Sequence, residues 1–349
     1  MKKILFTGGG SAGHVLPNLA LIEELLSAGD VDVCYMGTDG IEKRIVSAYK
    51  LPYYQIECPK LVRGGFSAIK ENIKIPTAFL RAEKQALAGL RIFQPDVVFS
   101  KGGYVALPVI FAAKKLKIPC FAHESDYSAG LANRISAGKC EQIFTSFPET
   151  ASTIKHGKYS GAPLRRSLFQ AQKAESRKKF HIPLSARVVL VFGGGSGSEA
   201  INSALRKHLK TLTEKYFILH VCGKGNIIES NVKNYHQFEF IADMGAAYAC
   251  ADVVIARAGA GTIFEILALK KPALLIPLEG QTRGDQIENA EYFRKKGLCN
   301  VLRQNQLDEL PNAIERLFSD ETLKRNLLEC NYGCGNEMIL RELRKRLQK

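Results

Sequence analysis

The sequence has no apolar run approaching the ~18–20 residues that a membrane-spanning helix needs, no low-complexity tract and no Cys-x-x-Cys pair. The first absence excludes a helical membrane protein. The second excludes a disordered linker protein. The third leaves nine cysteines (Cys34, Cys58, Cys120, Cys140, Cys222, Cys250, Cys299, Cys330 and Cys334) as an odd set in apolar or isolated settings. They read as thiols in a reducing compartment, not as disulfides or zinc ligands. Zinc-finger spacing and aromatic platforms are also missing, which argues against nucleic acid as a partner. At the N-terminus, Lys2 and Lys3 precede an uncharged stretch from Ile4 to Ile22. Glycines 8, 9, 10 and 13 and Pro17 interrupt it, so it does not form the apolar centre of an export signal. The expectation is a protein that is soluble or peripheral to a membrane.

What is present is a strong positive balance: 49 Lys and Arg against 34 Asp and Glu, a formal charge of +15. That favours anionic partners, whether phosphorylated ligands, acidic lipid or nucleic acid, without choosing among them.

The chain opens with a strand at Lys3–Thr7, a glycine-rich turn at Gly8–Gly13, a helix at Pro17–Ser27 and a second strand at Val31–Gly37. This is the start of a βαβ unit. The pattern returns at Arg187–Phe192, followed by Gly193-Gly194-Gly195-Ser196 and a helix expected over Glu199–Leu212. The spacing of the two turns is domain-sized. The expected fold is α/β, with two Rossmann-like domains at 1–163 and 164–349, and the last helix a candidate to pack back on the first domain. The basic stretch Arg165–Lys179 reads as a linker or linker helix. Further strands at 95–100, 119–122, 217–222, 252–256 and 272–277 each run into a polar or glycine-rich loop. In open parallel sheets these loops form the ligand edge.

Gly8–Gly13 matches G-x-G-x-x-G, a weak signal alone. A nicotinamide site wants an acid at the end of the second strand, and Asp39 comes later than expected. His14 follows the turn. It is either a helix-capping residue or a group that binds phosphate or accepts a proton from an attacking hydroxyl. In Arg257-Ala-Gly259-Ala260-Gly261-Thr262, backbone amides at a helix start suit a diphosphate. Glu265, one turn on, suits the two hydroxyls of a ribose, or merely complements the helix dipole. Asp285, Gln286 and Asn289 suit sugar hydroxyls, or cap a helix. Asp30-Val31-Asp32 has the letters of a metal-binding Asp-x-Asp but lies before its strand. Arg165 and Arg257 are then candidates to neutralise a diphosphate.

Taken in order, Gly9–His14, Ser100–Tyr104, His123-Glu124-Ser125-Asp126, Gly161–Arg165, Gly193–Gly197, Phe240-Ile241, Arg257–Gly259 with Glu265, and Asp285-Gln286 with Asn289 resemble the MurG family, the UDP-N-acetylglucosamine:lipid I transferases of glycosyltransferase family 28. The resemblance runs over nearly the whole length. It implies a GT-B fold, with two parallel-sheet domains facing a cleft. It implies inverting transfer of GlcNAc from UDP-GlcNAc to lipid I, with no metal and no cofactor, in peptidoglycan synthesis. Arg165, Gly194, Gly195, Ser196, Ile241, Arg257, Gly259, Ala260, Gly261, Thr262, Glu265, Gln286 and Asn289 would then line the donor. Gly10, Ser11, Ala12, Gly13, His14, Gly102, Gly103, Tyr104 and Glu124 would line the acceptor. His14 is the first candidate for base, with Glu124 and Asp126 as alternatives. A lipid acceptor implies peripheral attachment to the cytoplasmic face of the plasma membrane. Lys60–Lys84, rich in Lys and Arg beside Leu, Ile and Phe, is the expected contact with its anionic surface; cell-wall or division proteins are further expected partners. The chain departs from the family at Gly195-Ser196, where the family's Ser falls one position earlier, at Ser125 and Asp126, and at Asp285. A paralogue with another lipid or glycan acceptor, a nicotinamide oxidoreductase, and a basic binding protein without activity stay as alternatives.

Overall fold

The computed structural model describes residues 1–60, 75–280 and 284–348. It divides into two compact units: Met1–Arg165 with Cys334–Lys349, and Arg166–Gly333.

The first unit is built on seven parallel strands: β1 (Lys2–Thr7), β2 (Val31–Gly37), β3 (Tyr53–Gln55), β4 (Val97–Ser100), β5 (Cys120–Glu124), β6 (Gln142–Thr145) and β7 (Gly157–Tyr159). Their order is β3-β2-β1-β4-β5-β6-β7. Apolar residues in these strands bury both faces, as a parallel sheet requires. Ile4, Phe6, Val33, Tyr35 and Phe99 join one core, and Leu5, Cys34, Met36 and Val98 the other. Alternate residues thus face opposite layers.

The second unit repeats the plan with β8 (Val188–Phe192), β9 (Phe217–Val221), β10 (Tyr235–Phe238), β11 (Val253–Ala256), β12 (Ala273–Leu275) and β13 (Asn300–Val301), in the order β10-β9-β8-β11-β12-β13. In each unit the strand order reverses beside the first strand. Thr7 of β1 is level with Ser100 of β4, and Phe192 of β8 with Ala256 of β11. Loops leaving those strand ends sit at the topological switch point, where α/β sheets bind ligands.

The first unit runs to Arg165, and the chain returns to it at Cys334. The returning helix Asn336–Leu347 buries Ile339, Leu340, Leu343 and Leu347 in the first unit's core, and that burial holds it there. The stretch read as a linker is part of the second unit. Its helix Lys173–Lys179 carries Arg177, 1% exposed, whose guanidinium bonds the Cys250 carbonyl at 3.3 Å and pairs with Asp252 at 2.9 Å. The helix expected over Glu199–Leu212 breaks at His208 into Glu199–Lys207 and Leu209–Lys215. All nine cysteines are free. Among the described residues no helix is long and apolar enough to cross a membrane.

Candidate active site

In the first unit two glycine turns interlock at the switch point. One follows β1 (Gly8–Ser11) and leads into a 3-10 turn, Ala12–His14, and the helix Leu16–Ala28. The other follows β4, at Lys101–Tyr104. Their approach explains the glycines. A Cβ on Gly103, at φ +78°, would lie 2.5 Å from the Gly9 carbonyl oxygen. A Cβ on Gly10, at φ +82°, would lie 2.6 Å from the Tyr104 ring. Gly102, at φ +86°, faces the Asn133 amide in the same way.

Glu42, which the sequence did not single out, holds the first turn from beneath. It is fully buried and accepts from the amides of Gly10 (3.1 Å) and Thr38 (3.0 Å) and from the Thr38 hydroxyl. A Cβ on Gly9 would come within 2.5 Å of its carboxyl carbon. Ala12 and Gly13 open the 3-10 turn, so their amides have no acceptor within it and can meet an anion. Asp39, the residue a dinucleotide reading needs, is ion-paired to Lys43 at 2.7 Å instead.

His14 ends the 3-10 turn and precedes the helix; it is not in the helix's first turn, because Val15 is the helix N-cap. Its Nδ1 lies 3.0 Å from Ser11 Oγ, and the ring packs on Gly103. His14 is half-buried. Glu124 has another employment. It is 5% exposed and accepts from Asp126 N (2.9 Å), Gly130 N (2.8 Å) and Asn133 Nδ2 (2.9 Å). It therefore folds the loop 125–130, and its committed lone pairs make it a poor base. Asp126 lies half-buried in that loop.

Two residues of these motifs to which the sequence assigns no role lie beside Glu124 and Ser125. Lys101 is 2% exposed and donates to Ser125 Oγ at 2.6 Å. Burial pushes its ammonium down to about 8, against the pull of Glu124 and Asp126. His123 is fully buried, and burial, reinforced by the Lys101 charge, holds it well below 6.5. The neutral ring donates from Nε2 to the Gly161 carbonyl at 3.0 Å, leaving Nδ1 without a partner. Burial of these groups depends on long-range packing that no local motif announces.

The second unit has the parallel arrangement. After β8, the turn Gly193–Gly197 leads to Ser198, whose hydroxyl caps the helix Glu199–Lys207. A Cβ on Gly197 would lie 2.2 Å from the Cys222 carbonyl, so the turn rests on the loop after β9. At Gly194 and Gly195 an added Cβ would meet nothing within 4 Å. Gly194, Gly195 and Ser196 are exposed. Beneath the turn, buried His220 bridges Tyr235 OH and Asn202 Oδ1, both at 2.9 Å, and Asn202 donates to the Cys222 carbonyl at 2.9 Å.

Burial, then the Arg206 charge, pushes His220 from its ordinary 6.5 down to about 4. Folded His220 stays neutral where the unfolded chain takes up a proton, so acid favours unfolding. Stability is expected to fall as pH drops from about 6.5 towards about 4, by about 3 kcal/mol for this group. His123 acts with the same sign in the other unit. The test is therefore the difference in urea midpoint between wild type and His220→Asn from pH 7 to 4.5. Equal pH slopes would remove His220 as a cause.

After β11, Gly259 caps the helix Ala260–Ala268, with Ala260, Gly261 and Thr262 in its first turn. A Cβ on Gly259 or Gly261 would again meet nothing within 4 Å. The space beside the first-turn amides is open, as an anion at a helix N-terminus would require. Glu265 is half-buried one turn on, and Tyr248 donates to its Oε2 at 2.9 Å. Arg257 braces the loop after β12: its Nη1 donates to the Ile276 and Pro277 carbonyls, both at 3.1 Å. Gln286 accepts from Leu278 N at 3.0 Å in that same loop. Asn289, expected to share the sugar with Gln286, is fully buried on the helix Asp285–Lys295. The Ile241 side chain is 6% exposed, so it offers a base only its main chain, while neighbouring Phe240 is 70% exposed. Arg165 closes the first unit, in the field of Tyr49. Among the described residues, no group of three or more His, Cys, Asp or Glu is placed to hold a metal ion. Most of the expected membrane segment, residues 61–74, lies outside the described residues. Of the remainder, Leu80 is 55% exposed on the helix Ile75–Phe93, whose other face buries Ala82, Ala86 and Leu90.

The chain matches the glycosyltransferase family 28 N-terminal domain over residues 4–145 and the glycosyltransferase family 28 C-terminal domain over residues 188–330. A Clostridium perfringens (strain SM101 / Type A) protein named UDP-N-acetylglucosamine--N-acetylmuramyl-(pentapeptide) pyrophosphoryl-undecaprenol N-acetylglucosamine transferase is 43% identical over 313 residues, 88% of this chain and 87% of that one. A Clostridium novyi (strain NT) protein of the same name is 42% identical over 348 residues, 97% and 96% of the two chains. The crystal structure of Acinetobacter baumannii MurG is similar with a TM-score of 0.75 at 25% identity, covering 99% of this chain and 100% of that one. The GT-B fold expected from the motifs is borne out. The chain belongs to glycosyltransferase family 28.

Proposed function

We propose that the protein transfers N-acetylglucosamine from UDP-N-acetylglucosamine to lipid I, the undecaprenyl-diphospho-N-acetylmuramyl peptide, and so makes lipid II for peptidoglycan. One observation carries the reading: each unit has its own glycine-rich turn at the strand-order reversal of a parallel sheet. Transfer from a nucleotide-linked sugar to a lipid diphosphate brings two diphosphates, one for each turn. A nicotinamide enzyme brings one dinucleotide and needs a ribose acid after β2, where Asp39 is paired to Lys43 and Glu42 is spent on the turn itself. The names of the relatives, at 42–43% identity over most of the chain, favour the same donor and acceptor.

In the second unit, Glu265 takes the ribose, the Ile241 main chain the uracil, and Gln286 the sugar. The amides of Gly194, Gly195 and of Ala260–Thr262 meet the diphosphate. They stabilise the leaving UDP as the anomeric centre passes through an oxocarbenium-like state. In the first unit, the Ala12 and Gly13 amides and the Gly102–Tyr104 turn hold the acceptor. His14 takes the proton of the attacking hydroxyl, which arrives opposite the leaving group and inverts the centre. The charge on the diphosphate is met by helix N-termini, without a metal. The lipid tail places the protein peripherally on the anionic cytoplasmic face of the membrane, with Leu80 and the basic residues around it towards the lipid.

The test is transfer of labelled GlcNAc to a short-chain lipid I analogue with EDTA present, repeated with acceptor in anionic and in neutral vesicles. Product is expected in EDTA, and faster transfer on anionic vesicles. UDP binding without product would overturn the acceptor, product abolished by EDTA the metal-free reading, and equal vesicle rates the membrane face.

A further inference from the structure

We propose that Tyr248 is a positioning residue for Glu265, and that this pair sets the preference of the donor site for a ribonucleoside over a 2′-deoxyribonucleoside diphosphate. The inference rests on the reading of the second unit as the donor site.

Tyr248 is fully buried on the helix Met244–Cys250. Its ring meets Phe192, the last residue of β8, edge-on, with centroids 5.9 Å apart at 84°. A buried phenol must find a partner for its hydroxyl. The hydroxyl here donates at 2.9 Å to Oε2 of Glu265, a half-buried carboxylate one turn beyond the open amides of Gly259–Thr262. The Tyr248 helix is itself fixed at both ends. Asp243 Oδ1 accepts from Ala246 N at 3.0 Å, and buried Arg177 grips the Cys250 carbonyl. The position of Glu265 is thereby inherited from the packed body of the unit, not from the exposed helix start.

This matters because a glutamate has three side-chain torsions and a ribose edge offers two donors at fixed separation. An ionised carboxylate only accepts hydrogen bonds. Holding one oxygen on a rigid phenol removes rotamers that would otherwise be lost on binding. A short charge-assisted bond is also directional, so a vicinal diol is read better than a lone 3′-hydroxyl. Tyr248 makes no contact with the nucleotide in this scheme. It acts through Glu265.

The experiment uses the full chain and calorimetry with UDP and with 2′-deoxy-UDP, for wild type, Tyr248→Phe and Glu265→Gln. Tyr248→Phe keeps the ring and its contact with Phe192, and thermal unfolding checks that the fold is retained. Wild type is expected to favour UDP. Tyr248→Phe is expected to lose about 3- to 10-fold in UDP affinity, the worth of one hydrogen bond, with much less loss for 2′-deoxy-UDP. The ratio of the two affinities therefore contracts, as it does further in Glu265→Gln. If Tyr248→Phe weakens both nucleotides equally, or neither, while Glu265→Gln collapses the ratio, the role of Tyr248 is overturned and the ribose reading stands. If Glu265→Gln leaves the ratio unchanged, the ribose reading fails and the present inference falls with it.

Discussion

Replacing His14 by alanine is expected to slow transfer by about 10²–10⁴-fold, the usual worth of a general base, while UDP affinity stays within about twofold. Several basic groups at the carboxyl edge of the first sheet are already engaged or enclosed. Glu124 is buried, with three donors on its two oxygens. His123 has a bare Nδ1, but the ring is fully buried. Lys101 is equally enclosed and its ammonium is bonded to Ser125. His14 combines a half-exposed ring with an orienting partner, Ser11 Oγ, 3.0 Å from Nδ1. When Nδ1 carries the proton and donates to Ser11, Nε2 presents its lone pair to an acceptor hydroxyl. Ser11→Ala should then cost much less than His14→Ala, since it removes only the orienting bond. Turnover and UDP calorimetry on the two variants decide the matter. A His14→Ala protein of wild-type activity would end its candidacy, and a parallel loss of UDP affinity would make the residue structural.

The parts of this arrangement that the sequence disclosed are those set by short-range rules. Ile4, Leu5 and Phe6 form a strand buried on both faces, and the glycines that follow have the backbone angles and close approaches only glycine tolerates. The repeat at Val188–Gly197 follows the same rules, so both switch points are legible in the sequence. The residues that hold the turns were not. Glu42 reaches back across more than thirty positions to the Gly10 amide, and Tyr248 across seventeen to Glu265. Nothing in their neighbourhoods distinguishes them from an ordinary helix Glu and a core Tyr. The surroundings of Arg257 and Asn289 are equally a matter of tertiary packing. Their residue types suit a phosphate and a sugar; carbonyls of the next loop hold Nη1 of the guanidinium, and packing encloses the amide. Arg165–Lys179 reads as a charged linker because burial of one arginine, Arg177, against Cys250 and Asp252 is a tertiary fact.

The second large effect is expected at Gly103. Its φ of +78° costs a residue with a side chain about 1–2 kcal/mol, and an alanine Cβ would stand 2.5 Å from the Gly9 carbonyl oxygen and 3.3 Å from His14 Nδ1. The first of these neighbours is backbone and cannot swing away, so the two turns must part. Displacing His14 and the Ala12–Gly13 amides by even an ångström is enough to cost about 10²-fold in rate. Gly103→Ala is therefore expected to lose transfer by that order or more, whereas the donor turns of the second unit keep their UDP affinity. Gly29→Ala supplies the control. Its φ is +67°, but an added Cβ there meets nothing within 4 Å. It carries the same backbone strain at the end of the helix Leu16–Ala28, without the collision. Both variants should unfold at somewhat lower temperature than wild type, and only Gly103→Ala should be inactive at a temperature where both are folded. Equal activity in the two would mean that the contact between the turns does not position the acceptor, and that the first unit holds it elsewhere.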